Sequence, residues 1–185
     1  MSGTVIDALT YWARTVADQP AIEFADDVVT YRELDTWADG VAHDLTRRGV
    51  TPGDRVSCLG GNSLEWCVTA LAAMKVGAIS APFNQRMLAG ELGVLVEDCE
   101  PAIVYCDKAL RSRLDEVRAC CDTFAVAEFE QDVRPLRGGG THARFRTPFT
   151  EQTDPTAIVF TSGTTGRPKG VIFTHATIAG EMHEW

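Results

Sequence analysis

The sequence predicts an α/β fold: a mostly parallel sheet flanked by helices. Three observations lead there. Extended and helical patterns alternate from residue 21 to residue 127. The helical stretches carry apolar residues at helical period, and Gly, Pro and Asp-rich turns separate them from the strands. A β-α-β-α order of this kind places parallel strands side by side with helices across them.

Each element has a local reason. Residues 21–24 and 28–30 read as short strands around an Asp26-Asp27 turn. Thr30-x-x-Glu33 is a capping box opening a helix whose apolar face is Leu34, Trp37, Ala38, Val41, Ala42 and Leu45. Gly49 fits the left-handed position after that helix, and Pro52-Gly53-Asp54 is the turn beyond. Residues 55–59 are a strand, and 63–75 a helix that is apolar nearly all round and therefore expected to be buried. Gly77 stops it. Strands follow at 78–81, 102–106 and 124–127, separated by helices at 88–97 and 110–120. Trp37 and Trp66 are expected in the core with Phe83 beside them. Asn84 and Arg86 are expected to steady the loop after the buried helix, with no chemical role.

Composition narrows the class. The chain has 185 residues, 45% hydrophobic and 23% charged, an ordinary globular mix. No apolar run approaches the roughly 18 residues of a membrane span. The start, MSGTVIDALTYWART, lacks the basic-then-apolar pattern of a signal peptide, so a cytoplasmic location is expected. A net charge of −9 argues against general nucleic-acid binding. The six cysteines form no C-x-x-C pair and the four histidines are scattered, so no metal site is expected. Cys58, Cys67 and Cys106 sit among apolar residues as core positions, and free thiols are expected.

Residues 130–155 break the alternation. RPLRGGGTHARFRTP holds Arg134, Arg137, Arg144 and Arg146 around three glycines. This composition fits a solvated connector; a basic anion-binding loop is the alternative.

The chemistry concentrates in AIVFTSGTTGRPKGVIFTH, residues 157–175. Two β-type runs flank ten residues, 161–170, too many for an ordinary hairpin loop. Gly163, Gly166 and Gly170 let backbone N–H groups turn inward. Thr161, Ser162, Thr164 and Thr165 add hydroxyl donors, and Arg167 and Lys169 add positive charge. No Asp or Glu occurs from residue 155 to residue 180, where an even spread would put about four. Carboxylates are missing where a polyphosphate would sit. The order Lys-Gly followed by a strand departs from a Walker A loop, which needs Gly-Lys-Ser/Thr leading into a helix. Residues 161–170 are therefore expected to join two strands as a mobile loop. Thr174 is expected to cap a final helix. His175 is assigned capping or packing ahead of ligand contact. His183 and Trp185 are assigned either an acyl pocket or core packing.

TSGTTGRPKGV closely resembles the signature loop of the adenylate-forming, AMP-binding superfamily. That superfamily includes acyl-CoA synthetases, aryl-CoA ligases, luciferases and peptide-synthetase adenylation domains. VTYRELDTWADGVAHDLTRRGVTPGDRV, NSLEWCVTALAAMKVGAISAPFN and DCEPAIVYCD also resemble its early elements. The resemblance implies the N-terminal part of the adenylate-forming synthetase fold, with residues 1–185 a portion of the adenylation domain. It implies two steps. A carboxylic acid attacks the α-phosphate of Mg-ATP to give an acyl-adenylate, and the thiol of coenzyme A then takes the acyl group. It places Thr161, Ser162, Gly163, Thr164, Thr165, Gly166 and Lys169 on the β- and γ-phosphates, with ATP, Mg2+ and coenzyme A as cofactors. It assigns no catalytic or metal-ligating residue within these 185 positions. Those groups, the acyl pocket and a C-terminal domain are expected beyond residue 185. The segment is expected to be inactive alone and, with an open sheet edge, to self-associate. An acyl-CoA synthetase is the leading expectation, favoured by the Ser-Gly-Thr-Thr-Gly form of the loop. A carrier-loading adenylation domain and a non-catalytic fragment are the alternatives. Fatty, aromatic and alicyclic acids all stay open as substrates.

Overall fold

A computed structural model describes residues 3–138, 143–148, 150–161 and 168–181. The chain opens with α1 (Val5–Thr15), a helix the sequence patterns above do not predict. Its capping box is Thr4-x-x-Asp7, with Asp in place of the usual Glu or Gln. Thr4 Oγ1 accepts from Asp7 N at 3.2 Å and Asp7 Oδ2 accepts from Thr4 N at 2.8 Å. Ile6 and Leu9 are its buried residues, so the apolar stripe is too short to stand out in sequence.

β1 (Pro20–Phe24) and β2 (Asp27–Thr30) pair antiparallel as a small separate sheet. α2 (Tyr31–Arg47) begins at the predicted capping box, with Glu33 Oε2 accepting from Thr30 N at 2.9 Å. All six residues of its predicted apolar face are buried. Then come β3 (Arg55–Gly60), α3 (Leu64–Val76), β4 (Ile79–Ser80), β5 (Phe83–Asn84), α4 (Ala89–Cys99), β6 (Pro101–Cys106), α5 (Arg111–Arg118) and β7 (Ala125–Glu128). The last described elements are β8 (Pro155–Thr161), β9 (Lys169–Thr174) and the short α6 (His175–Glu181).

The main sheet has strand order β7-β6-β3-β4-β8-β9, with β5 continuing beside β3 where β4 leaves off. Every pairing is parallel except β8 with β9. The α/β class with a mostly parallel sheet is as expected. Alternation along the strands divides the core into two layers. Val56, Cys58, Ile103 and Tyr105 face α1, α2 and α3, whereas Leu59, Val104 and Cys106 face α4 and α5. Trp37 is buried and Trp66 packs partly buried in the first layer. Phe83 is a correction: it lies in the second layer, its ring 5.9 Å from Phe160. Residues on opposite faces of a sheet cannot touch, and the side chain of Phe83 points away from the tryptophans.

The buried helix α3 is not wholly apolar. Lys75 Nζ lies 2.5 Å from both Asp35 Oδ1 and Asp39 Oδ1, and its side chain is 4% exposed. Glu65 is likewise buried and accepts from Arg134 Nε at 2.6 Å. The stretch after β7 also differs from a solvated connector. A π-helical turn, Phe129–Val133, buries Phe129 and Val133. Trp37 Nε1 donates to Val133 O at 2.9 Å. Arg137 pairs with Asp27 and lies 5.4 Å over the Trp37 ring. Two of the four arginines thus tie the connector to the fold.

All six cysteines are free thiols. Cys58 and Cys106 are buried as expected, while Cys67 is half-buried. Burial pushes the Cys106 thiol up to about 12, which keeps it protonated and inert. Among the described residues no helix is long and apolar enough to cross a membrane, and no cluster of three His, Cys, Asp or Glu could hold a metal ion.

Candidate functional site

β8 and β9 form a hairpin with the register Ala157↔Phe173, Val159↔Val171, Phe160↔Gly170 and Thr161↔Lys169. The strands run further than the apolar runs suggest. Thr161, Lys169 and Gly170 belong to them, so the expected loop bounds of 161–170 are too wide at both ends. Residue 169 begins a strand, not a helix, which sets the arrangement apart from a Walker A loop.

Of the seven residues assigned to phosphate contact, the structure brings Thr161 and Lys169 face to face across the loop end of the hairpin. Thr161 Oγ1 donates to Lys169 O at 3.4 Å. Ser162, Gly163, Thr164, Thr165 and Gly166 lie outside the described residues, as do Arg167, His183 and Trp185. Gly170 has a role other than turning N–H groups inward. A Cβ there would stand 2.9 Å from Ile158 Cγ2 on the neighbouring strand, so glycine is kept for a close approach within the ladder.

Position in the sheet gives the hairpin its meaning. β8 runs parallel to β4, so Thr161 lies at the carboxyl end of the parallel strands. Ligands of open α/β sheets sit outside that end. Beside it lies a cleft of about 500 Å³, a feature the sequence patterns do not signal. Phe83, Met87, Leu95 and Phe160 wall it with apolar surface, and Asn84 and Thr161 add polar edges. Glu91 adds an acidic group to the lining, and its carboxylate accepts from Leu88 N at 2.9 Å at the start of α4. The loop after β5 is held firmly: Asn84 Oδ1 accepts from Arg86 N at 2.9 Å, and Arg113 Nη1 donates to Gln85 O and Met87 O at 2.6 and 2.8 Å. Asn84 thus steadies this loop as expected, with Arg113 as a partner that sequence spacing does not indicate.

His175 is remote from this end. It opens α6 next to Asp154, at the amino end of β8, and is 2% exposed. Its Nδ1 accepts from Val5 N at 3.4 Å, so it packs α6 against α1. Thr174 caps α6, its Oγ1 accepting from Thr177 N at 3.2 Å. Burial lowers the His175 pKa below its ordinary 6.5, against the opposing pull of Asp154 and Asp7. The unfolded chain therefore takes up a proton that the folded one resists. The stability is fully present above about 6.5 and is lost as pH falls through the lowered folded value. Urea unfolding between neutral pH and pH 5 should show this loss, and His175→Gln should flatten the profile in that window.

A family model described as AMP-binding enzyme matches residues 9–185. The chain belongs to this family. This chain is 32% identical over 170 residues to the long-chain-fatty-acid–CoA ligase FadD13 of Mycobacterium tuberculosis, covering 90% of this chain and 34% of the ligase. It is also 32% identical over 166 residues to a linear gramicidin synthase of Brevibacillus parabrevis, covering 90% of this chain and 3% of that protein. ATP-bound MatB from Rhodopseudomonas palustris superposes with a TM-score of 0.77 at 32% identity, covering 94% of this chain and 36% of that one. The chain thus spans about a third of the length of FadD13. Membership of the adenylate-forming superfamily and its α/β fold stand as the signature loop implied. The likeness is shared evenly between a CoA ligase and a peptide synthetase.

Proposed function

We propose that residues 1–185 form the N-terminal portion of an adenylation domain and supply the ATP phosphate-binding loop of an acyl-CoA synthetase. Thr161, Ser162, Gly163, Thr164, Thr165, Gly166 and Lys169 hold the β- and γ-phosphates while a carboxylic acid attacks the α-phosphate. The observation that carries this reading is the hairpin end itself. Thr161 and Lys169 meet at the carboxyl edge of the parallel strands, no carboxylate lies on either strand, and an apolar cleft opens alongside. A polyphosphate fits such an end. Hydroxyl and backbone donors with one flexible ammonium neutralise charge without a fixed geometry of their own. Mg2+ and coenzyme A enter through the rest of the enzyme. The chain's own part is to bind and orient the phosphates for in-line attack.

The acceptor is assigned to coenzyme A on the Ser-Gly-Thr-Thr-Gly form of the loop and the likeness to FadD13. The equal likeness to a linear gramicidin synthase favours the second reading, transfer to a carrier protein. Pyrophosphate release by the complete protein with a panel of fatty, aromatic and alicyclic acids identifies the acid. Offering coenzyme A and a phosphopantetheinylated carrier side by side identifies the acceptor. Acyl-CoA is the expected product; acyl transfer to the carrier alone would overturn the assignment. Residues 1–185 on their own should give no turnover. Pyrophosphate release from that segment that is lost with Lys169→Ala would overturn the division of labour.

The hairpin also carries the expectation of self-association. β9 is an edge strand of the sheet, and Val159, Val171 and Ile172 are 44%, 45% and 62% exposed. An exposed apolar edge pairs readily with a second copy. Light scattering of residues 1–185 should rise with concentration, and Ile172→Lys should suppress the rise. A monomer at every concentration would count against it.

A further inference from the structure

The four arginines of the 134–146 stretch divide into two pairs. Arg134 is tied to Glu65 and Arg137 to Asp27. Arg144 and Arg146 instead line a cavity of about 720 Å³ together with Arg14 of α1. Its walls come from α1 with its cap Thr4, the last turn of α3, residues 144–148 and Thr150. Lys75 in that wall leads through Gly77 to β4, whose first residue pairs with Arg55 at the start of β3. The cavity therefore lies at the amino end of the parallel strands, across the sheet from Thr161.

We propose that this cavity binds a phosphate-bearing small anion, at a site separate from the hairpin. Among the described residues Arg14 and Arg146 have no ion-pair or hydrogen-bond partner, and Arg144 spends one N–H on Thr10 Oγ1 at 3.2 Å. Three largely free guanidinium forks are thus gathered in a chain whose net charge is −9. One carboxylate, Asp7, stands in the lining against three guanidinium groups, and the acidic groups around the cavity have partners of their own. Asp7 accepts from Thr4 N and Thr4 Oγ1 at the start of α1, and Asp35 and Asp39 hold Lys75. Thr10 and Thr147 add hydroxyls to the lining. Guanidinium matches phosphate oxygens with paired N–H donors, the geometry that distinguishes Arg from Lys as a phosphate ligand. The concave shape suits a small ligand. A duplex or a membrane surface would need a broad convex basic face, which this acidic chain lacks.

The probe is inorganic pyrophosphate, titrated calorimetrically into the protein at low ionic strength. Variants at the two ends of the sheet separate this site from the hairpin. Saturable binding should survive Lys169→Ala. It should weaken about tenfold or more in Arg144→Gln/Arg146→Gln, and similarly in Arg14→Gln, which lies on a different element. None of these arginines is buried, so the variants should unfold at the wild-type temperature, which thermal melts without ligand would check. Added salt should weaken the binding. Binding that is unchanged by the arginine variants, binding abolished by Lys169→Ala alone, or no saturable binding in the millimolar range would each overturn the proposal.

Discussion

Replacing Lys169 by alanine is expected to slow acyl-adenylate formation tenfold to a hundredfold in the complete enzyme. The reasoning rests on a single charge-assisted contact, worth about 1.5–3 kcal/mol, made to a phosphate whose charge develops as pyrophosphate leaves. The chain uses 14 Arg against three Lys, yet lysine stands at this position with Arg167 two residues before it. A compact ammonium on a flexible stem can follow a departing group, whereas a planar fork fixes its own geometry. Lys169→Arg should therefore recover part of the rate and Arg167→Ala should cost less than Lys169→Ala. Because Lys169 pairs across the ladder with Thr161, its Cα is held by the strand and only its side chain is free to move. Single-turnover adenylate formation at saturating ATP is the measurement. A wild-type rate for Lys169→Ala beside a slow Arg167→Ala would reverse the two roles.

The second large effect concerns stability. Lys75 is clamped between Asp35 and Asp39 under α2, with the Asp39 side chain 6% exposed. Lys75→Met would leave the buried Asp39 carboxylate unpaired beside the partly buried Asp35, and the loss should be about 3–5 kcal/mol. For a chain of this size that lowers the unfolding midpoint by roughly 6–20 °C. Replacing the whole group, Asp35→Asn/Asp39→Leu/Lys75→Met, removes the unpaired charges and should restore most of the stability. Urea unfolding of the two variants distinguishes the readings. If the single variant were as stable as the wild type, the ion group would contribute nothing to the fold.

Much of the scaffold was legible because its signals are local. The Thr30–Glu33 capping box, the apolar face from Leu34 to Leu45 and the stop at Gly77 each depend on neighbours within a turn or two. Parallel order followed from alternation alone. What stayed hidden depends on partners distant in sequence. Lys75 looks like a helix-end cation until Asp35 and Asp39 fold over it. Arg134 and Arg137 look like loop charges until Glu65 and Asp27 meet them. The face that Phe83 occupies depends on how β5 registers against β3 at Leu59. At the candidate site the residue types were legible, since hydroxyls, glycines and a lone lysine state their chemistry directly. The cleft beside them was not, because Met87 ahead of α4, Leu95 within it and Phe160 from β8 converge there only through the sheet.

Among the described residues the hairpin joins the rest of the sheet through one registered pair, Ser80 with Ala157. These residues are far apart along the chain, whereas β8 and β9 are near neighbours. A hairpin of this kind closes in microseconds, but its docking must wait for the long loop between β4 and β8 to be brought together. The hairpin should therefore be a late-docking unit in folding and an early one to detach. Native-state hydrogen exchange should release amides of β9 at a lower opening free energy than those of β3 and β6, which are paired on both sides. A phosphate ligand held at the Thr161–Lys169 end would then slow exchange throughout the hairpin, linking occupancy of the loop to the hold of two strands on the sheet.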